Sequence, residues 1–223
     1  MPRERFEHEL QRLQNSVLAL GHMAEQALKD SVEALRVQDL EEAGRIIDGD
    51  RIINERRFAL ENEVITLIAT QQPMAGDLRF LAEVLELVTE MERIADYAKG
   101  IAHIAVMIGK EPLIKPLEDI PRMAIKACDM LHRALDAFIR RDVDLARAIP
   151  PEDVEVDALY DKIYRELIGY IAKDPKNTDQ ATRLTWVAHN LERVADRVGN
   201  ICERVVFSVT GNIEELAGPP ETK

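Results

Sequence analysis

Met91-Glu92-Arg93-Ile94-Ala95-Asp96 recurs one hundred residues later as Leu191-Glu192-Arg193-Val194-Ala195-Asp196. Glu, Arg, Ala and Asp are identical in the two copies, and the other two positions are apolar in both. Around the first copy, apolar residues fall at Val84, Leu87, Met91, Ile94, Ala98, Ile101, Ala105 and Ile108. Around the second they fall at Leu184, Val187, Leu191, Val194, Val198, Ile201 and Val205. This 3-4 alternation is the seam of a helix packed in a bundle. Glu92 and Asp96 lie off the seam, one turn apart on the outward side, and so do Glu192 and Asp196. Carboxylates at i and i+4 repel by roughly 0.2–0.5 kcal/mol when solvated. The same unfavourable pair at the same register of a repeated helix suggests that something positive sits there.

The repeat extends outward from these stretches. At an offset of 103, Ala24 matches Ala127, Leu28 matches Leu131, Asp39 matches Asp142, Asp50 matches Asp153 and Asn54 matches Asp157. At the seam the offset is 100, and the difference falls in the loop around Gln71-Gln72-Pro73-Met74. Periodicity predicts helices over about 5–36, 39–70 and 77–108, with Asp39 and Asp77 as caps and Gly21 a mild defect. In the second half it predicts helices over about 120–140, from after Pro150-Pro151 to before Pro175, and 179–209. Short turns between long helices imply antiparallel neighbours. The expected fold is all-α, a tandem duplication of two antiparallel three-helix bundles. Residues 1–110 form the first repeat and 116–211 the second, divided by the connector around Pro112 and Pro116. Residues 212–223 form a flexible tail.

Composition agrees with a helical reading. The chain of 223 residues is 46% apolar and 31% charged but only 4% aromatic. The net charge of −12 disfavours nucleic-acid binding. Cys128 and Cys202 form no CxxC pair and read as small buried hydrophobes in a reducing compartment. The charged N-terminus has no apolar leader core, and no run is long enough to cross a bilayer. A cytoplasmic protein without direct membrane insertion is expected.

Asp50 and Asn54 are one turn apart on the second predicted helix, as are Asp153 and Asp157 on the fifth. Antiparallel packing against the Glu92/Asp96 and Glu192/Asp196 helices would line one oxygen-rich groove in each half. Hard or borderline cations prefer such donors. His103 and His189 lie on the same outer columns. The competing reading is a set of solvated acidic faces, partly neutralised by Arg93 and Arg193. The Glu-x-x-His of a ferritin-like di-iron site is missing, as are HExxH, GxSxG and a zinc-type Cys/His cluster. Gly44 to Arg51 has the glycine spacing of a phosphate-binding loop, but Asp50 stands where that loop needs lysine.

Gln71-Gln72-Pro73-Met74-Ala75-Gly76-Asp77-Leu78-Arg79, the two Glu-Arg-x-Ala-Asp stretches, and Asn190 and Asn200-Ile201 around the second resemble the PhoU family of phosphate-uptake regulators. The resemblance spans about residues 5–209. It implies a dimeric pair of three-helix bundles with surface metal motifs. Carried over, these motifs fall on Asp50, Asn54, Glu92 and Asp96, and on Asp153, Asp157, Glu192 and Asp196, with iron or another oxygen-preferring ion as ligand. It further implies a non-enzymatic cytoplasmic adaptor between the ATPase of a phosphate ABC transporter and a sensor histidine kinase. Ala95 and Ala195 replace a frequent family glycine, Gly100 replaces an asparagine kept at Asn200, and Asn54 is a neutral ligand. The alternatives are a metal-dependent oxidase or metal store, and a purely structural helical module.

Overall fold

The structure, a computed structural model, describes residues 2–216. Helix α1 spans Pro2–Val37, α2 Leu40–Gln71 and α3 Ala75–Ile108. In the second half, α4 spans Asp119–Arg140, α5 Val143–Ala148, α6 Asp153–Lys173 and α7 Thr178–Thr210. No strand occurs among the described residues.

The duplication is visible down to single hydrogen bonds. After α1, Gln38 turns left-handed at φ 55, and after α4, Arg141 does so at φ 54. The amide of Asp39 donates to the Ala34 carbonyl at 2.9 Å, and that of Asp142 donates to Ala137 at 2.9 Å. This six-to-one closure satisfies the last carbonyls of each helix. Asp39 then caps α2 by accepting from the Glu41 and Glu42 amides, and Asp142 caps α5 through Leu145.

The halves diverge one turn later. Helix α2 continues unbroken through Gly44 and Gly49. Its counterpart is interrupted at Pro150-Pro151, because proline cannot donate the helical hydrogen bond. A short 3-10 turn, Pro150–Glu152, separates α5 from α6, so the second half has an extra two-turn helix that periodicity did not reveal. A second correction concerns α3. Met74, not Asp77, is its N-cap residue and makes no side-chain cap. Asp77 lies inside the first turn, where its charge meets the positive end of the helix dipole.

Helices α1, α3, α7 and α4 pack in sequence around a closed ring, with α2 laid on α1 and α3, and α6 on α4 and α7. Each half is a three-helix repeat, yet the two repeats share one continuous apolar core. Leu20 and Leu28 of α1, Met91 and Ile94 of α3, Met130 and Phe138 of α4, and Leu191 and Val194 of α7 are all fully buried in it. Gly21 has a packing reason: a Cβ there would lie 2.6 Å from Leu135 Cδ1, so its absence lets α1 approach α4. Both cysteines are buried, and burial pushes each thiol up to about 12.

The connector between repeats is pinned by glutamines from both. Gln38 donates to the Gly109 and Glu111 carbonyls, while Gln180 accepts from the Ile114 amide and donates to the Pro112 carbonyl. Beyond Gly211, residues 212–216 turn back along the second repeat. There Glu214 pairs with Arg147 at 2.9 Å, and the Leu216 amide donates to Glu203 at 3.0 Å. Gly218-Pro219-Pro220 lie outside the described residues.

Candidate metal-binding grooves

Packing α2 against α3 places Asp50 and Asn54 beside Glu92 and Asp96, and packing α6 against α7 does the same for Asp153, Asp157, Glu192 and Asp196. The register follows from the seams. Ile53 of α2 and Val156 of α6 are buried inward, so Asn54 and Asp157, one position on, and Asp50 and Asp153, one turn before those, fall at the groove edge.

The two grooves differ in how their charge is balanced. In the first, Asp50 is buried and accepts from Lys99 Nζ at 2.7 Å and from the Asn54 amide at 3.1 Å. Lys99 also reaches Asp96, at 3.7 Å. The Glu92 carboxyl is raised by burial, then by the charges of Asp96 and Asp50, while Arg57 and Arg93 oppose the rise. An ammonium group therefore already sits among the acids.

In the second groove the position matching Lys99 is Gly199, and a Cβ built there meets nothing within 4 Å. The space is a cleft of about 350 Å³ bordered by Asp153, Asp196, Arg197, Gly199, Asn200 and Glu203. Burial pushes the Asp153 carboxyl up to about 7, helped by Asp157, Asp196 and Glu192. Glu192 is raised by burial and by Asp196, against the pull of His189. Three positive groups stand near these acids among the described residues: Arg193 Nε is 3.9 Å from Asp196, His189 Nδ1 is 3.3 Å from Glu192 Oε2 without hydrogen-bond geometry, and Arg197 borders the cleft while reaching toward Glu90. Asp153 Oδ1 and Glu192 Oε2 are buried and accept no hydrogen bond. Asp50 Oδ1 is likewise unpaired in the first groove, although its partner oxygen holds Lys99.

All eight residues singled out from sequence thus line the two grooves. Among the described residues, however, neither set brings three carboxylates within 4.8 Å of one another. His189 joins the second groove, whereas His103 is exposed and makes no contact with the first among the described residues. Lys99 is the residue that carboxylate spacing missed. The signal for it is the comparison of Lys99 with Gly199, one turn beyond each acidic pair.

Gly100 has a tertiary explanation as well. A Cβ at this position would come 3.0 Å from the Asn190 side chain on α7, where the repeats meet. Across the same seam Arg197 Nη1 lies 3.5 Å from the buried Glu90.

These features define an all-α protein of two tandem three-helix repeats, each with an acidic groove between its second and third helices. The PhoU domain matches residues 17–105 and again 120–205, and the chain belongs to the PhoU family. It is 36% identical over 217 residues to the phosphate-specific transport system accessory protein PhoU homolog of Clostridium acetobutylicum, covering 97% of this chain and 99% of that one. It is also 36% identical over 209 residues to the accessory protein PhoU of Escherichia coli, covering 92% and 86% respectively. Among solved structures, PhoU from Pseudomonas aeruginosa superposes with a TM-score of 0.88 at 31% identity, covering 93% of this chain and all of that one. The phosphate transport system regulatory protein PhoU from Streptococcus pneumoniae gives 0.87 at 31% identity, covering 94% and 99%. No helix is long and apolar enough to cross a membrane among the described residues.

Proposed function

We propose that this chain regulates phosphate uptake as a non-catalytic adaptor. The reading is carried by full-length similarity to proteins named as accessory to phosphate-specific transport, with the family domain matched in both repeats. In this role a cytoplasmic homodimer contacts the ATPase of a phosphate ABC transporter and a sensor histidine kinase, restraining the starvation response while phosphate is plentiful.

The groove between α6 and α7 is its metal site. Asp153, Asp157, Glu192 and Asp196 supply hard oxygen donors for iron or another oxygen-preferring cation. Buried oxygens on Asp153 and Glu192 that accept no hydrogen bond, a glycine where the first groove has Lys99, and the space beside that Gly199 all support that fit. A cation there neutralises the acids and ties α6 to α7. The matching set of Asp50, Asn54, Glu92 and Asp96 fits less well, because Lys99 already supplies positive charge. The first groove therefore binds the same cation more weakly than the second.

The partners are tested by capturing the untagged chain with antibody from phosphate-rich cells and identifying what it retains. The transporter ATPase and a sensor kinase should be enriched over a deletion-strain control. Recovery of neither, under conditions that preserve other membrane-associated complexes, contradicts the adaptor role.

A further inference from the structure

We propose that His22, Glu25 and His132 form a second metal site, separate from the acidic grooves, for a zinc-type transition-metal ion. It joins α1 of the first repeat to α4 of the second. One ligand atom from each residue lies within 4.8 Å of the other two. Glu25 Oε2 is 3.6 Å from His22 Nδ1 and 3.6 Å from His132 Nδ1. Those separations are too long for hydrogen bonds. They approach the distance of about 3.3 Å between neighbouring ligands around a tetrahedral ion with bonds of roughly 2.0–2.1 Å. A small turn of the two imidazoles, both about half exposed, closes the site and leaves a fourth position open to water.

The carboxylate is already oriented for this task. Glu25 is only 7% exposed, and its other oxygen, Oε1, accepts from Lys29 Nζ at 2.5 Å. That contact holds Oε2 toward the imidazoles, as an outer partner holds a metal ligand. It also offsets part of the carboxylate's charge, as Lys99 does in the first groove, so the site's selectivity rests on the pair of imidazole nitrogens that neither groove has. The close approach of the helices has its own cause in Gly21, adjacent to His22 and packed on Leu135. The His22 and His132 ring centroids are 6.1 Å apart.

Donor chemistry separates this site from the grooves. Two imidazoles and one carboxylate suit zinc, cobalt, nickel or copper, whereas the all-oxygen grooves suit harder ions. The site also breaks the internal duplication. At the offset of 103, Lys29 corresponds to His132 and Glu25 to Cys128, so the ligand set does not recur in the other half of the chain. Because α1 and α4 belong to different repeats, a bound ion staples the repeats together and stabilises the folded chain by mass action.

Zinc and cobalt titrations of untagged, chelator-treated protein test the site. The Glu192→Gln/Asp196→Asn background weakens the second groove, and the histidine substitutions made in it separate the proposed site from whatever binding the first groove retains. One equivalent of cobalt should give the intense visible bands of four-coordinate nitrogen and oxygen ligation, displaced by zinc. His22→Ala and His132→Ala should each weaken zinc binding by more than about 100-fold, beyond what loss of an outer partner costs. Each should also lose the zinc-dependent rise in melting temperature, while metal-free helicity stays at the parent level. Glu25→Gln should weaken binding too; if that variant fails to fold, the half-exposed histidine variants decide alone. Unchanged affinity and unchanged cobalt bands in both histidine variants overturn the proposal.

Discussion

Glu83 is a buried acid with no salt bridge among the described residues. It sits on α3, only 3% exposed, with Oε1 unpaired. Burial pushes its carboxyl up to about 8, only partly offset by Ser208 and Arg141. The folded chain therefore keeps this proton far above the 4.5 of an exposed glutamate. Between those values the folded state binds more protons than the unfolded state, so stability falls as pH rises. The contribution is fully present below about pH 4.5 and is lost as pH climbs through about 8. Urea unfolding at pH 6 and pH 9 should show the parent weaker at pH 9, and Glu83→Gln should remove most of that difference. An equally steep loss in Glu83→Gln would assign the effect to other groups. The carboxylate spacing was legible residue by residue in the sequence; its charge balance was not. Lys99 reaches Asp50 from a different helix, and the sequence marks that contact only through the contrast of Lys99 with Gly199.

At the scale of elements, the grooves are a natural experiment in duplication. The α2–α3 groove carries its own cation and the α6–α7 groove carries a glycine in the corresponding place. Exchanging these residues should exchange the behaviour of the grooves. Gly199→Lys has room for its side chain and gains helix propensity of roughly 0.7 kcal/mol. Its ammonium should suppress the metal-dependent rise in melting temperature. Lys99→Met strands a carboxylate whose side chain is only 7% exposed. Its cost should be about 2 kcal/mol, below the usual buried-pair loss because the lysine is a third exposed. In return the first groove should become more metal-responsive. Thermal unfolding with and without added cation reads both variants, and an undiminished response in Gly199→Lys would contradict the groove assignment. The start of α2 was legible because the Asp39 side chain caps it. Helix ends were misread where backbone geometry alone starts the helix, as at Met74, and α5 was hidden because Pro150-Pro151 looked like a helix start.

For the whole molecule, the repeat was legible from matched offsets, but the shared core was not. Seam periodicity identifies which residues are buried without saying which helix covers them. The ring of α1, α3, α7 and α4 makes each repeat part of the other's interior. Unfolding should therefore be one cooperative event. Trp186, the chain's single tryptophan, reports from α7, while circular dichroism reports from every helix. The two denaturant transitions should coincide, and two separated midpoints would mean that the repeats fold independently. That rigid double repeat is the platform on which the regulatory role rests, and gene expression tests the role most directly. Phosphate-scavenging genes should be measured in rich phosphate with the chain's gene deleted, then restored on a plasmid. Deletion should switch those genes on and the restored chain should silence them again; unchanged, low expression in the deletion strain would contradict a role in restraining phosphate uptake.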